Sequence, residues 1–572
     1  TDNTTTDNTT TDNTTTDNTT TDNTTTTDTT SPTVESISPT DNQGGVSISD
    51  NISVTFSVAM DNSSVTTNSS NTSCSGSLEL SSDNFSNCIQ MSSSPSSSNS
   101  EKTFTIDPSD NLSRGTTYKT RVTTGVKDSA GNTLGSQYET SSGFTTWSGT
   151  QQLGTSSGDT KTDGVTVDSS GNIYVTGYTS GGLDNNTNSG SNDIFLVKYN
   201  SSGVKQWTKQ LGTSNSDVGR GVTVDSSDNI YVTGSTSGGL DDNTNTAGSS
   251  WDFFLVKYNS SGVKQWTDQY GSVVGGYTDF GQGVTVDSSD NLYVTGTTNR
   301  GMDNNAHLGS DDIFLIKYNS SGEKQWTQQL GTASRDRVAL DEDEIMDGVT
   351  VDSSDNIYVV GQTQGGLDNN TFSGDWDFFL VKYNSSGTKQ WTQQLGTSSK
   401  DVGNGVAVDS SDNIYVTGTT GGGLDNNTSF GSNDIFLVKY NSSGEKQWTQ
   451  QLGGHWYTSS GNIVYSHNDA GTGVTVDSSN NIYVTGVTSR IIGGNTDYGG
   501  VDIFLVKYNS SGVIQWAKQL GSSGHDYGQG VTVDSFNNIY VTGKTDGGLD
   551  GNTNSGSLDV FLVKYNSDGV LQ

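Results

Sequence analysis

The sequence predicts an all-β protein whose last three quarters, about, close into a seven-bladed propeller. Three observations predict it: a unit repeated seven times, strand chemistry within the unit, and a unit divided between two distant parts of the chain. The repeat reads G-V-T-V-D-S-S-x-N-I-Y-V-T-G, a Gly/Asn/Asp-rich loop, then D-[IF]-F-L-V-K-Y-N-S-S-G-x-K-Q-W-T-x-Q-L-G. Its first Asp recurs at 168, 225, 287, 352, 409, 477 and 534, with separations of 57, 62, 65, 57, 68 and 57 residues. A unit of this length repeated many times is the signature of a propeller or solenoid.

Each unit supplies four strands. In the first copy they are 164–167, 173–176, 193–199 and 204–211. The second strand is rich in β-branched and aromatic residues, as strands prefer. Asp193, Phe195, Val197 and Tyr199 alternate with Ile194, Leu196 and Lys198 in the third. Both of its faces are largely apolar, so both need covering, and a blade between two neighbouring blades meets that need. Asp-Ser-Ser-Gly-Asn (168–172) and Asn-Ser-Ser-Gly (200–203) are tight turns, where Asn and Gly tolerate positive φ.

The last copy stops at Gln572, where the other copies continue to Trp, and Trp147-Ser-Gly-Thr-Gln-Gln-Leu-Gly precedes the first copy. That upstream piece is the missing outer strand of the last blade. Joining the two closes a ring and removes open sheet edges, which a solenoid would not require. Trp at 147, 207, 266, 326, 391, 448 and 516 gives one per blade. The strings V-D-S-S-G-N-I-Y-V-T-G and D-I-F-L-V-K-Y-N-S-S-G resemble the SBBP-type bacterial β-propeller repeat over 147–572. The resemblance implies a seven-bladed propeller on an exported bacterial protein and implies no activity.

Two further segments lie upstream. Residues 1–31 are Thr-Asp-Asn-Thr-Thr pentads with almost no apolar side chain, so burial cannot offset chain entropy and a disordered linker is expected. Residues 32–146 contain alternating strands at 52–56, 103–106 and 118–123 and a turn at 128–132. The order S-P-T-D…I-S-V-T-F-S-V-A-M-D…T-T-Y-K-T-R-V-T-T-G-V-K-D-S-A-G-N resembles a bacterial Ig-like domain, implying a β-sandwich spacer. Both cysteines, Cys74 and Cys88, fall here. Two cysteines closing a short loop point to one disulfide in an oxidising compartment, with two buried thiols as the alternative.

Acidic residues number 63 against 27 basic, a net charge of −36. Repulsion then disfavours nucleic acid and anionic membranes, and favours solubility, cations and basic partners. No apolar run approaches the roughly 18–20 residues of a membrane span. An extracellular or surface location is expected, with any anchoring signal lying outside this sequence.

Chemistry-bearing residues fall into three groups. The seven Lys of L-V-K-Y-N and the Asp opening the same strand recur in every blade. A catalytic centre needs one constellation rather than seven, so these charges read as structural ion pairs. The long loops carry Asp184-x-Asn186-x-Asn188 and Asp550-x-Asn552-x-Asn554, which echo the oxygen spacing of calcium loops. The echo is incomplete, because Gly falls one position late and no Glu follows, and Asp/Asn turns remain the alternative. Calcium is thus a candidate cofactor, the only one.

Two unique insertions, 335–347 and 454–469, interrupt connections from a fourth strand to the next blade. A scaffold does not require them. Asp341, Glu342, Asp343 and Glu344 in one, and His455, Trp456, Tyr457 and Tyr465 in the other, are candidate binding residues for a protein or glycan partner at the cell surface. No nucleophile elbow, phosphate loop or paired-Cys motif is recognisable. A non-enzymatic binding or scaffold protein is the leading expectation. A polysaccharide-directed enzyme and a structural matrix or filament component are the alternatives.

Overall fold

In this computed structural model the described residues are 28–572, apart from 157, 246–249, 272–277, 339–347, 455, 458–462 and 465–467. Most of the segment expected to be a disordered linker therefore lies outside them. By packing, the described residues divide into two compact units, one of 28–41, 51–110 and 118–143, the other of 42–50, 111–117 and the described part of 144–572.

The first unit is a sandwich. One sheet orders Val34–Ser38, Ile52–Phe56, Thr103–Ile106 and Ser96–Ser98, and the other orders Leu78–Ser81, Thr117–Val122 and Tyr138–Glu139. Alternation in I-S-V-T-F and T-F-T-I buries Ile52, Val54, Phe56, Phe104 and Ile106. Phe56 and Phe104 meet edge to face at 6.1 Å. Cys74 and Cys88 form a disulfide. No helix among the described residues is long and apolar enough to cross a membrane.

The second unit is all-β propeller. Its described residues form seven antiparallel sheets in sequence, called blades 1 to 7 here, each with its first strand at one edge. Blade 1 is Thr160–Val167, Ile173–Thr179, Asp193–Tyr199 and Lys205–Leu211. Blade 7 takes three strands from 526–565 and its fourth, Gln151–Leu153, from upstream, with Gln151 opposite Leu562 and Leu153 opposite Val560.

The first strands pack one on the next around the axis, and that of blade 7 packs on that of blade 1. The Gly of G-V-T-V permits this approach: a Cβ on Gly530 would lie 3.0 Å from Val165 of the neighbouring blade. Apolar layers fill the space between blades. At the closing seam Tyr540, Val560 and Leu562 of blade 7 meet Val175, Phe195 and Val197 of blade 1, with Trp147 fully buried among them.

Charged repeat residues tie the blades together. Asp168 accepts the N–H groups of Ser170 and Asn172 at 2.9 and 2.8 Å and the Tyr174 hydroxyl at 2.9 Å. Lys198 stands 5.1 Å from the Tyr174 ring and donates to the Ser260 carbonyl of the next blade at 3.2 Å. Lys257, Lys317, Lys382, Lys439 and Lys507 repeat that donation to the following blade. Lys564 instead donates to the Gly45 carbonyl, and burial pushes its ammonium down to about 8. The Asp opening the third strand is equally structural: Asp193 accepts from Ser189 and Gln210 at 2.7 and 3.0 Å. Its other oxygen would lie 2.2 Å from any Cβ at 212, which is why the repeat has Gly there.

Candidate binding mouth of the propeller

The long loops and the links between blades emerge on one face, and the short Ser-Ser-Gly turns on the other. The loop carboxylates singled out for calcium are committed to protein cations and hydroxyls. Asp184 accepts from Lys205 at 2.5 Å on one oxygen and from Thr208 on the other. Asp550 accepts from Arg114 at 2.8 Å and Thr150 at 3.0 Å. The asparagines turn their amide donors to the backbone. Asn186 reaches Leu183 at 2.8 Å and Asn188 reaches Gly190 at 2.7 Å. Asn552 reaches Leu549 at 2.9 Å and Asn554 reaches Asp546 at 2.8 Å. These contacts hold the loop shape, with Asp184 and Asp550 at positive φ.

The second insertion roots on this face. Asp341, Glu342, Asp343, Glu344, His455 and Tyr465 lie outside the described residues. Trp456 and Tyr457 pair with Val464 and Ile463 in a two-residue ladder. Gly454 N–H donates to Asp469 at 2.7 Å, so the second insertion leaves and returns just before the first strand of blade 6, Ala470–Val476. The first insertion sits differently from the sequence reading. Asp336–Arg337 and Val349–Val351 both pair with Ile357–Thr363. It therefore splits the first strand of blade 4 rather than the connection before it.

That position is special in every blade. In six blades the first strand bulges at one residue, skipped in the register and followed by Gly-Val-[Thr/Ala]-Val. The bulged residues are Asp163, Arg220, Gln282, Asn404, Thr472 and Gln529, and in blade 4 the insertion takes the place. Bulges re-aim side chains at sites of function. Two residues before them stand Lys161, Val218, Phe280, Val402, Ala470 and Tyr527, equally varied. Repetition is kept in the framework and dropped around the mouth of the central channel.

Several of the varied residues reach across from one blade to the next. Arg220 holds Asp163 at 2.9 Å, and Asp163 is almost fully buried. Burial raises the Asp163 carboxyl, opposed by the charges of Arg220, Lys544 and Lys161. Lys161 faces Tyr178 across the strands of blade 1, and Lys544 faces Tyr527 across those of blade 7. The ammonium groups lie 5.6 and 5.1 Å from the two rings, at cation–π distance. A cavity of about 400 Å³ opens across blades 5 to 7, with Lys400, Asn404, Tyr527, Gln529 and Lys544 in its walls. A second, of about 370 Å³, lies between blades 1 and 2 beside Lys161, Tyr178 and Trp251. Reading the sequence for repeats and insertions misses these residues. The signal was the reverse of repetition, a few variable columns inside a constant strand.

Comparison with known proteins agrees with this architecture. A bacterial Ig-like domain matches residues 28–146. The SBBP beta-propeller repeat matches 149–184, 206–241, 265–301, 325–368, 390–425 and 515–550. The chain is an SBBP-type propeller repeat protein with an N-terminal bacterial Ig-like domain. That combination is one of extracellular or surface binding and scaffold proteins. Among curated relatives, an uncharacterized WD repeat-containing protein of Acanthamoeba polyphaga mimivirus is 25% identical over 352 residues, 48% of this chain and 25% of that protein. The regulatory protein FlaEY of Caulobacter vibrioides is 25% identical over 190 residues, 30% of this chain and 19% of that protein. The chain thus spans a quarter or less of these relatives. Virginiamycin B lyase from Staphylococcus aureus shares 11% identity at a TM-score of 0.37, covering 72% of this chain and 98% of the lyase. Rhamnogalacturonan lyase YesW shares 12% at 0.34, covering 91% and 90%. Likeness at this level says nothing of activity.

Proposed function

We propose that this chain is a non-enzymatic bacterial surface or secreted binding protein, with a tethered propeller head that takes a protein or glycan at its decorated mouth. One observation carries the reading: the bulged ring Asp163, Arg220, Gln282, Asn404, Thr472 and Gln529 varies although the Gly-Val that follows it is the same in all six blades. A scaffold alone has no need of five residue types at one position in six blades. The insertion that carries Trp456 and Tyr457 roots on the loop face, so it is included in the proposed surface as well. A binding rather than catalytic role is supported by Asp163, whose carboxylate is committed to Arg220.

The test is a glycan and surface-protein array on the full chain, run with a turnover assay on every ligand found. Saturable binding without product is expected. Mouth variants should lose it, while Ser260→Ala with Ser261→Ala on the opposite face should keep it. Product release, or loss of binding only on the opposite face, would refute the reading.

A further inference from the structure

The larger cavity at the proposed mouth carries a charge sign opposite to the molecule. Net charge is −36, yet the charged side chains in the walls of the cavity across blades 5 to 7 are Lys400 and Lys544. Beside them Gln529 is 5% exposed, and its side-chain carbonyl oxygen accepts no hydrogen bond from the described residues. A buried acceptor left unpaired is costly, so it calls for a donor from outside the protein. Asn404 is likewise buried at the cavity wall, its amide donating to the Gly471 carbonyl at 2.7 Å. Tyr527 adds an aromatic body with a polar tip. The volume of about 400 Å³ falls within the roughly 300–1,000 Å³ of small-molecule sites.

Resting on the reading of the mouth as the binding surface, we propose that it binds an acidic polysaccharide, seating one carboxylated sugar in this cavity. The carboxylate faces Lys544, a hydroxyl donates to Gln529, and the ring lies against Tyr527. A sugar acid combines the required features in one unit: an anion for the lysines, hydroxyl donors for the orphaned carbonyl, and an apolar C–H face for the aromatic ring. A polymer is favoured over a free sugar because the Lys–Tyr pair recurs one blade away. Lys161 and Tyr178 of blade 1 border the second cavity of about 370 Å³, and blade 1 packs on blade 7. A chain with a carboxylate on successive units engages both pairs.

The test is calorimetry on the full-length protein with polygalacturonate, hyaluronan and alginate, with carboxyl-reduced polygalacturonate, and with poly-glutamate. We expect at least one acidic polysaccharide to bind, with affinity falling as salt rises. Carboxyl reduction of polygalacturonate, or Lys544→Met, should weaken binding at least tenfold, and Lys544→Arg should largely restore it. Gln529→Met, which keeps size and removes the acceptor, should weaken binding several-fold at an unchanged melting midpoint. Equal binding of the reduced polymer, poly-glutamate binding as tightly as the polysaccharides, or no binding by any of the three overturns the proposal. A neutral glycan or a protein bound at the mouth would overturn it while leaving the mouth as the binding surface.

Discussion

Replacing Trp147 by Ala should open the ring at its seam. Trp147 is the one repeat tryptophan with no solvent exposure, packed 5.7 Å from Tyr540 of blade 7 and 5.4 Å from the Lys564 ammonium. It sits beside the only strand that blade 7 borrows from upstream. Truncating a buried Trp costs about 3–5 kcal/mol through lost burial and the cavity left behind. At about 2 °C per kcal/mol, the low end of the range for sizeable domains, the propeller midpoint should fall by roughly 6–10 °C. Trp391, half-buried in the middle of the ring at 5.9 Å from Tyr358, is the internal comparison and should lose less. Scanning calorimetry on the full chain reads both variants. A Trp147→Ala midpoint within a degree or two of the parent would show that the seam contributes nothing to ring stability.

Three other outcomes follow from the structure. Burial pushes the Asp502 carboxyl up from 3.8 to about 6, so the folded state holds a proton there that the unfolded chain has lost. Stability from this group therefore falls as pH rises from about 4 to 6, by roughly 3 kcal/mol. Asp217, Asp336, Asp401 and Asp469 shift the same way, burial being the largest cause in each. Melting should peak nearer pH 4.5 than 7.5, with Asp502→Asn flattening the profile; a lower midpoint at 4.5 contradicts this. Millimolar calcium should leave the melting midpoint unchanged, because Lys205 and Arg114 already hold Asp184 and Asp550; an upward shift abolished by Asp184→Ala would reverse that assignment. Reducing Cys74–Cys88 should destabilise the Ig-like unit by about 3 kcal/mol without moving the propeller transition, and equal loss in both transitions would argue against independent units.

Much of the fold was legible because repetition amplifies weak local signals. One I-Y-V-T-G is an ambiguous apolar run, whereas seven at fixed spacing are strands of blades. The structural role of Lys198 and its counterparts was readable by the same logic. What repetition cannot reveal is where a blade departs from its neighbours for function. Arg220 and Gln529 look like noise in the column until the bulge turns them toward the channel. The splitting of blade 4's first strand was hidden for a related reason: Asp336–Arg337 is too short to read as a strand without its partner Ile357–Thr363. The loop aspartates left calcium and plain turns open because both use the same residue types, and the sequence does not show the reach of Lys205 to Asp184.

The borrowed strand also sets the order in which the molecule can be made. Gln151 pairs with Leu562, 411 positions later. At about 5–20 residues per second, a ribosome needs roughly 20–80 s between synthesising the two partners. For that interval the strand is an unpaired ribbon that any nascent blade 7 could capture, including one on a neighbouring polysome. The closing seam gives it little help, since Gly171 stands where the other junctions offer Asp or Asn to a serine of the preceding blade. Strand-exchanged dimers, linked head to tail through 151–153, are the misassembly this topology invites, and dilution during expression is the remedy it suggests.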